Sequence, residues 1–230
     1  MKQKLEKQIT EIINIIKPFG SLQNIEGMQR YGIRFKKAFG VNIPVLRKLA
    51  KDYKYNHELA LELWKTGIHE AMLLAIFIDD PKQISKKQMN EWVKDFASWD
   101  ICDQCCGNLF DKTTYAYDTA FKWSKSKYEF IKRAGFVLIT QLAVHDKEME
   151  DNKFLAFFPL IESEAGDERN FVRKAVNWAL RQIGKRNSFL WKEAVELAEK
   201  IKKQESKSAK WIATDALREL KSESLRLRNK

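Results

Sequence analysis

The sequence predicts an all-α protein, a curved α-α superhelix built from stacked antiparallel helix pairs. Three observations carry that reading. Apolar residues recur at helical spacing, and alternating stretches of strand type are almost absent. Only four prolines and nine glycines interrupt the 230 residues. A weak internal repeat also runs through the chain, in Glu70-Ala71-Met72-Leu73-Leu74, Arg133-Ala134-Gly135-Phe136-Val137 and Lys174-Ala175-Val176-Asn177-Trp178. The last two copies lie about 41 residues apart, the period of stacked two-helix repeats.

Periodicity predicts thirteen helices, over 2–17, 22–31, 43–54, 56–66, 68–79, 85–97, 99–110, 114–125, 128–144, 152–163, 168–184, 187–203 and 207–221. Pro44 suits a first helical turn, where a missing N–H costs nothing. Ser85 and Asn187 are placed to cap the helices that follow them, and Gly184 to close the one before it. Short polar turns join these elements, so neighbours pair antiparallel and stack into a solenoid of HEAT-like repeats with a concave inner face. No linker is long enough to divide the chain, and residues 1–230 are expected to form a single HEAT-like domain.

Charge narrows the partners. Lys and Arg number 42 against 31 Asp and Glu, a formal net charge of +11, which favours a polyanion. No stretch approaches the roughly 20 apolar residues of a transmembrane helix. The opening residues, Met1-Lys2-Gln3-Lys4, do not begin a signal peptide, so a cytoplasmic, nucleoid-associated protein is expected. Three cysteines, Cys102, Cys105 and Cys106, crowd one helical turn or so. An odd, clustered set argues against disulfides, and without a second pair or a nearby His it is read as helix packing rather than a metal site. His57, His69 and His145 show no metal-ligand spacing and are read as structural or surface residues.

Two helices carry residues that a core does not need. In the helix from Glu168 to Gly184, Val172, Ala175, Val176, Ala179, Leu180 and Ile183 form the core stripe. Trp178 lies roughly 130° from the centre of that stripe, in a second row with Lys174, Arg181 and Lys185. An aromatic within a basic row suits nucleic acid, or else packs against a neighbouring repeat. In the helix beginning at Trp99, the stripe is Ile101, Cys102, Cys105, Cys106 and Leu109. Trp99 and Asp103, one turn apart, project from neighbouring positions on one face. Asp103 could equally be an ordinary surface carboxylate, and Asp100 a helix cap. Lys132 and Arg133 are the only charges on the nearly apolar helix from Phe130 to Val144, and their partner is either an internal carboxylate or a phosphate.

At these residues the chain resembles the AlkD family of DNA alkylation-repair glycosylases, built from HEAT-like repeats. The resemblance spans roughly residues 28–191. It rests on Met28-Gln29-Arg30-Tyr31, on Phe39-Gly40-Val41-Asn42-Ile43-Pro44 with Arg47, and on Ser98-Trp99-Asp100-Ile101-Cys102-Asp103. Further on it rests on Phe130-Ile131-Lys132-Arg133-Ala134 and on the run from Phe171 to Arg181. The chain departs from the pattern at Asn42 and Ile43, and in a longer turn around Glu164-Ala165-Gly166-Asp167.

The resemblance implies a concave DNA-binding cleft with Trp99 and Trp178 as its tryptophans and Asp103 as the catalytic carboxylate. It makes Arg133 the cleft arginine and has Tyr31, Arg47 and Arg181 hold the duplex, joined from the basic row by Lys174. The implied activity is that of a monofunctional DNA glycosylase, hydrolysing the N-glycosidic bond of cationic N3- or N7-alkylated purines in double-stranded DNA. It needs no cofactor and no metal, and a monomer suffices. The same superfamily includes members that bind branched or damaged DNA without excision, and a protein-interaction scaffold is the third reading.

Overall fold

The computed structural model describes residues 2–222. They form two compact units that divide between Thr113 and Thr114. Beyond one bridge between Lys37 and Ile68 the described residues contain no β-structure.

The N-terminal unit contains α1 (Lys2–Ile16), α2 (Leu22–Arg30), α3 (Ile43–Ala50), α4 (His57–Lys65), α5 (His69–Ile78), α6 (Lys86–Trp92) and α7 (Trp99–Asn108). Single 3-10 turns extend α1, α3 and α6, and another follows α7. Helix α5 is the hub. Nearly all its residues are buried, because α3, α4 and α7 pack around it. Its second residue, Glu70, is fully buried and binds backbone: its carboxylate accepts from the N–H groups of Phe39 (3.0 Å), Gly40 (2.7 Å) and Val41 (3.2 Å). Gly40 suits that clamp, since its φ is +78° and a Cβ there would stand 2.3 Å from the Ser21 carbonyl oxygen. The irregular stretch ahead of α3 is thereby fixed without regular structure. Pro44 stands in the first turn of α3 as expected, and Ser85 caps α6 by accepting from the Gln88 N–H.

The C-terminal unit contains α8 (Ala116–Ser124), α9 (Glu129–His145), α10 (Asp151–Leu155), α11 (Phe158–Glu164), α12 (Asn170–Gly184), α13 (Ser188–Lys202) and α14 (Lys207–Leu220). Helix α9 lies between α8 and α12, and α12 packs in turn on α13 and α14. Gly135 permits the first contact: a Cβ there would stand 2.2 Å from the Ser124 backbone nitrogen. The expected helix over 152–163 is two helices, broken at Ala156 and Phe157. Pro159 is the cause. It has no N–H to donate, and its ring excludes the carbonyl four residues earlier, so the chain restarts with Pro159 in the first turn of α11. Asn187 caps α13 by accepting from the Leu190 N–H.

The three segments of the internal repeat fall in α5, α9 and α12. The six stripe residues of α12 are all fully buried, as are Cys102, Cys105 and Cys106. No helix among the described residues is long and apolar enough to cross a membrane.

Candidate nucleic-acid interface

In the N-terminal unit, α7 starts at Trp99 and brings Asp103 one turn further along, about 6 Å by helical rise. Both are half-buried. The Trp99 indole N–H donates to the Tyr31 carbonyl oxygen at 3.0 Å, which fixes the ring against the end of α2. Tyr31 itself is 74 % exposed. Arg47 is exposed on α3, its guanidinium 5.3 Å from the Phe77 ring centroid and at the limit of hydrogen bonding, 3.5 Å, from Gln104. Tyr31, Arg47, Trp99 and Asp103 thus belong to one unit.

Asp100 does not cap α7. The cap position is Ser98, and the Asp100 carboxylate meets His69 Nε2 at 2.8 Å and accepts from the Ser98 hydroxyl. Burial alone would push this carboxyl up. The hydrogen bond and charge of His69, with Ser98 and the Ile101 amide, outweigh it, and the pKa lies below the ordinary value. His69 is 5 % exposed. Thirty-one residues separate this pair in sequence, and only the packing of α5 on α7 unites it.

In the C-terminal unit, α12 carries Lys174, Trp178 and Arg181. Lys174 is exposed, and Trp178 and Arg181 are half-buried. Trp178 differs from the other six tryptophans. Trp64 donates to Asp95 at 2.8 Å and stacks on Trp92 at 3.9 Å, while Trp99 donates to Tyr31. Trp191 donates to the Leu220 carbonyl oxygen at 2.7 Å, Trp211 lies under Arg173, and Trp123 is buried. Trp178 has no hydrogen bond or ring partner among the described residues.

The cations divide. Lys132 is held inside the protein by Glu164 and, at 3.1 Å, by Asp167, which resolves its partner in favour of internal carboxylates. Asp167 also accepts from Arg169. Burial opposes its ionisation, but hydrogen bonds from Arg169 and Lys132 hold its pKa down at about 2. Arg133 is 6 % exposed and donates to the Phe171 carbonyl oxygen at 2.7 Å. Arg181 pairs with Glu219 and lies 3.9 Å from Asp215, and Lys185 shares Glu219. Lys174 has no ion-pair partner among the described residues. Sequence reasoning placed Lys174, Trp178, Arg181 and Lys185 in one row but did not see that Glu219, from α14, neutralises its far end.

Stacked helix pairs presenting aromatic and cationic side chains define a HEAT-like repeat protein, and the comparisons agree. The chain superposes with a TM-score of 0.76, at 22 % identity and over 92 % of its length and 94 % of the other chain, on a solved structure from a family described as related to the HEAT-like repeat DNA glycosylases, with affinity for branched DNA structures. It is 24 % identical over 168 residues, 72 % of this chain and 73 % of the relative, to the uncharacterized protein Lin0241 of Listeria innocua serovar 6a. The family model for DNA alkylation repair enzymes matches residues 12–220. The chain belongs to the DNA alkylation repair enzyme family.

Proposed function

We propose that the protein is a monofunctional DNA glycosylase that releases cationic N3- or N7-alkylated purines from duplex DNA. The observation that carries this reading is α7, where a half-buried indole with a fixed plane and a carboxylate stand one turn apart. Membership of a DNA alkylation repair family supports alkylated DNA as the substrate.

Alkylation gives the purine a formal positive charge, so its bond to the sugar is already weakened. When that bond breaks, the electron pair goes to the base, which departs neutral with no acid needed. Positive charge then grows on the deoxyribose. Asp103 stabilises it and orients a water molecule, whose oxygen bonds to the sugar carbon while its proton passes to solvent through the carboxylate. One carboxylate suffices where O-glycosides need two. Trp99 offers an aromatic face to the cationic nucleotide, and Trp178 offers one of the same kind to bound DNA, each worth about 0.5–2 kcal/mol depending on desolvation. The absence of an internal partner for Trp178 supports this role.

Phosphate contact falls first on Lys174 and Arg47, with Tyr31, because these side chains are exposed and not ion-paired. Arg133 and Arg181 join only by sharing a guanidinium already given to Phe171 or to Glu219. We place the protein's action, as a monomer without metal or cofactor, on nucleoid DNA in the cytoplasm.

A second reading, DNA binding without excision, draws on the branched-DNA affinity of the structural relative. Release of free 7-methylguanine or 3-methyladenine from alkylated duplex decides between them. Asp103→Asn should cut release by about 100-fold or more while duplex affinity is retained. Wild-type protein that binds DNA and releases no base sinks the enzyme reading.

A further inference from the structure

Beside Trp99, and wholly within the N-terminal unit, lies a pocket of about 560 Å³. It falls in the range of about 300–1,000 Å³ typical of ligand sites. Its apolar wall includes Met28, Ile33, Val41, Ile43 and Leu73, and the Trp99 indole forms part of the lining. Its polar side carries Gln23, Gln104 and the His69–Asp100 pair. Asp103 is not on the wall, so the pocket is distinct from the catalytic carboxylate.

Three features indicate what it takes. The Trp99 plane is fixed by its hydrogen bond to Tyr31, which leaves the ring as a stacking platform that need not be ordered on binding. The Asp100 carboxylate supplies an acceptor for a planar ligand's amino or ring N–H group, with acceptor capacity left beyond its bonds to His69, Ser98 and the Ile101 amide. Arg30 lines the pocket, is exposed, and has no ion-pair partner among the described residues, so it can meet an anion at the mouth. A flat heterocycle with a hydrogen-bonding edge and a phosphate attached is a nucleotide.

We propose that this pocket holds one unpaired, extrahelical nucleotide of the bound DNA, its base against Trp99 and its phosphate toward Arg30. The inference rests on the DNA-binding part of the proposed function and not on base release. It gives the protein a preference for DNA with an unpaired residue, independent of alkylation.

Gly27 provides a clean test. It lines the pocket in α2, and a Cβ built there meets nothing within 4 Å. Gly27→Leu therefore grows into empty space from a helix that leucine favours over glycine. Binding is measured by fluorescence anisotropy for a duplex with one bulged 2-aminopurine nucleotide and for its fully paired counterpart. Wild type should bind the bulged duplex at least about fivefold more tightly, as base–aromatic stacking implies. It should also quench the 2-aminopurine. Gly27→Leu should bring the affinity ratio close to one and restore the fluorescence, with paired-duplex affinity unchanged. No preference in wild type, or a preference that survives Gly27→Leu, overturns the proposal. Release of methylated base is followed on the same preparations: its absence with the preference intact removes the enzyme reading and leaves the pocket standing.

Discussion

In the N-terminal unit, buried carboxylates join the parts. Glu70 binds three successive backbone amides, Asp79 binds His57 at 2.7 Å and Gln88 at 2.8 Å, and Asp100 binds His69. In the C-terminal unit, apolar helix faces do this, brought close at Gly135, while Glu164, Asp167 and Glu219 pair with lysine and arginine side chains. The contrast has a functional side. Carboxylates that bind loops hold irregular chain in place, and the irregular chain between α2 and α3 borders Trp99 and its pocket. Carboxylates that bind lysine and arginine remove those cations from the surface. In the row along α12 that leaves Lys174 without an ion pair, and Trp178 without a hydrogen bond or ring partner, among the described residues.

The largest effect that breaks this contrast is expected at Glu70. Glu70→Ala leaves the amides of Phe39, Gly40 and Val41 in a mostly buried setting without their acceptor. Stranded buried donors cost about 1–3 kcal/mol each, and the loss of one partner from a buried charged interaction about 3–5 kcal/mol in all. Urea unfolding should show a loss in that upper range, together with loss of the Trp99 hydrogen-bonded geometry beside the displaced loop. A loss below about 1 kcal/mol would mean that water replaces the carboxylate and that the loop needs no clamp.

Gly135→Ala tests the other unit and comes second. Alanine normally stabilises a helix interior relative to glycine by about 1 kcal/mol. Here its Cβ would stand 2.2 Å from the Ser124 nitrogen and 2.7 Å from the Ser124 Cα, so α8 and α9 must separate. Overpacking of this kind costs about 1–3 kcal/mol, and the obstacle is backbone that cannot rotate away. Thermal unfolding should move downward. A rise in Tm would show that the two helices are held apart already.

The same contrast explains what the sequence could reveal. The core stripe of α12 was legible to the residue, because Val172 through Ile183 repeat at 3.6 and nothing polar interrupts it, although the helix starts at Asn170 and not at Glu168. The split at Ala156–Phe157 was readable in principle from Pro159, and the apolar run 154–161 hid it. The buried polar joints were not legible. Glu70 lies 31 residues from Phe39, and His69 lies 31 from Asp100. Periodicity reports which face a residue occupies, not which distant group it meets. For the same reason Trp178 could be placed off the core stripe of α12, whereas its want of a partner needed coordinates. The pairing of Arg181 with Glu219 across α14 was equally hidden.

Acid sharpens the comparison with the smallest expected effect. Asp167 is ionised far below the ordinary carboxylate value of 3.8, at about 2, because Arg169 and Lys132 outweigh its burial. Its contribution to stability is therefore whole above about pH 4 and lost as pH falls through 3.8 toward 2. Asp79 has the opposite sign. Burial outweighs His57 and Gln88 and raises its pKa, so its ionised form burdens the fold, and protonation on acidification relieves that burden. Urea unfolding of wild type and Asp167→Asn from about pH 5 downward measures the difference directly. The variant should be less stable at the start, and the gap should narrow as the wild-type carboxylate takes up its proton. A gap that stays constant with pH would show that Asp167 acts by filling space in the turn before α12, and not through the charges of Lys132 and Arg169.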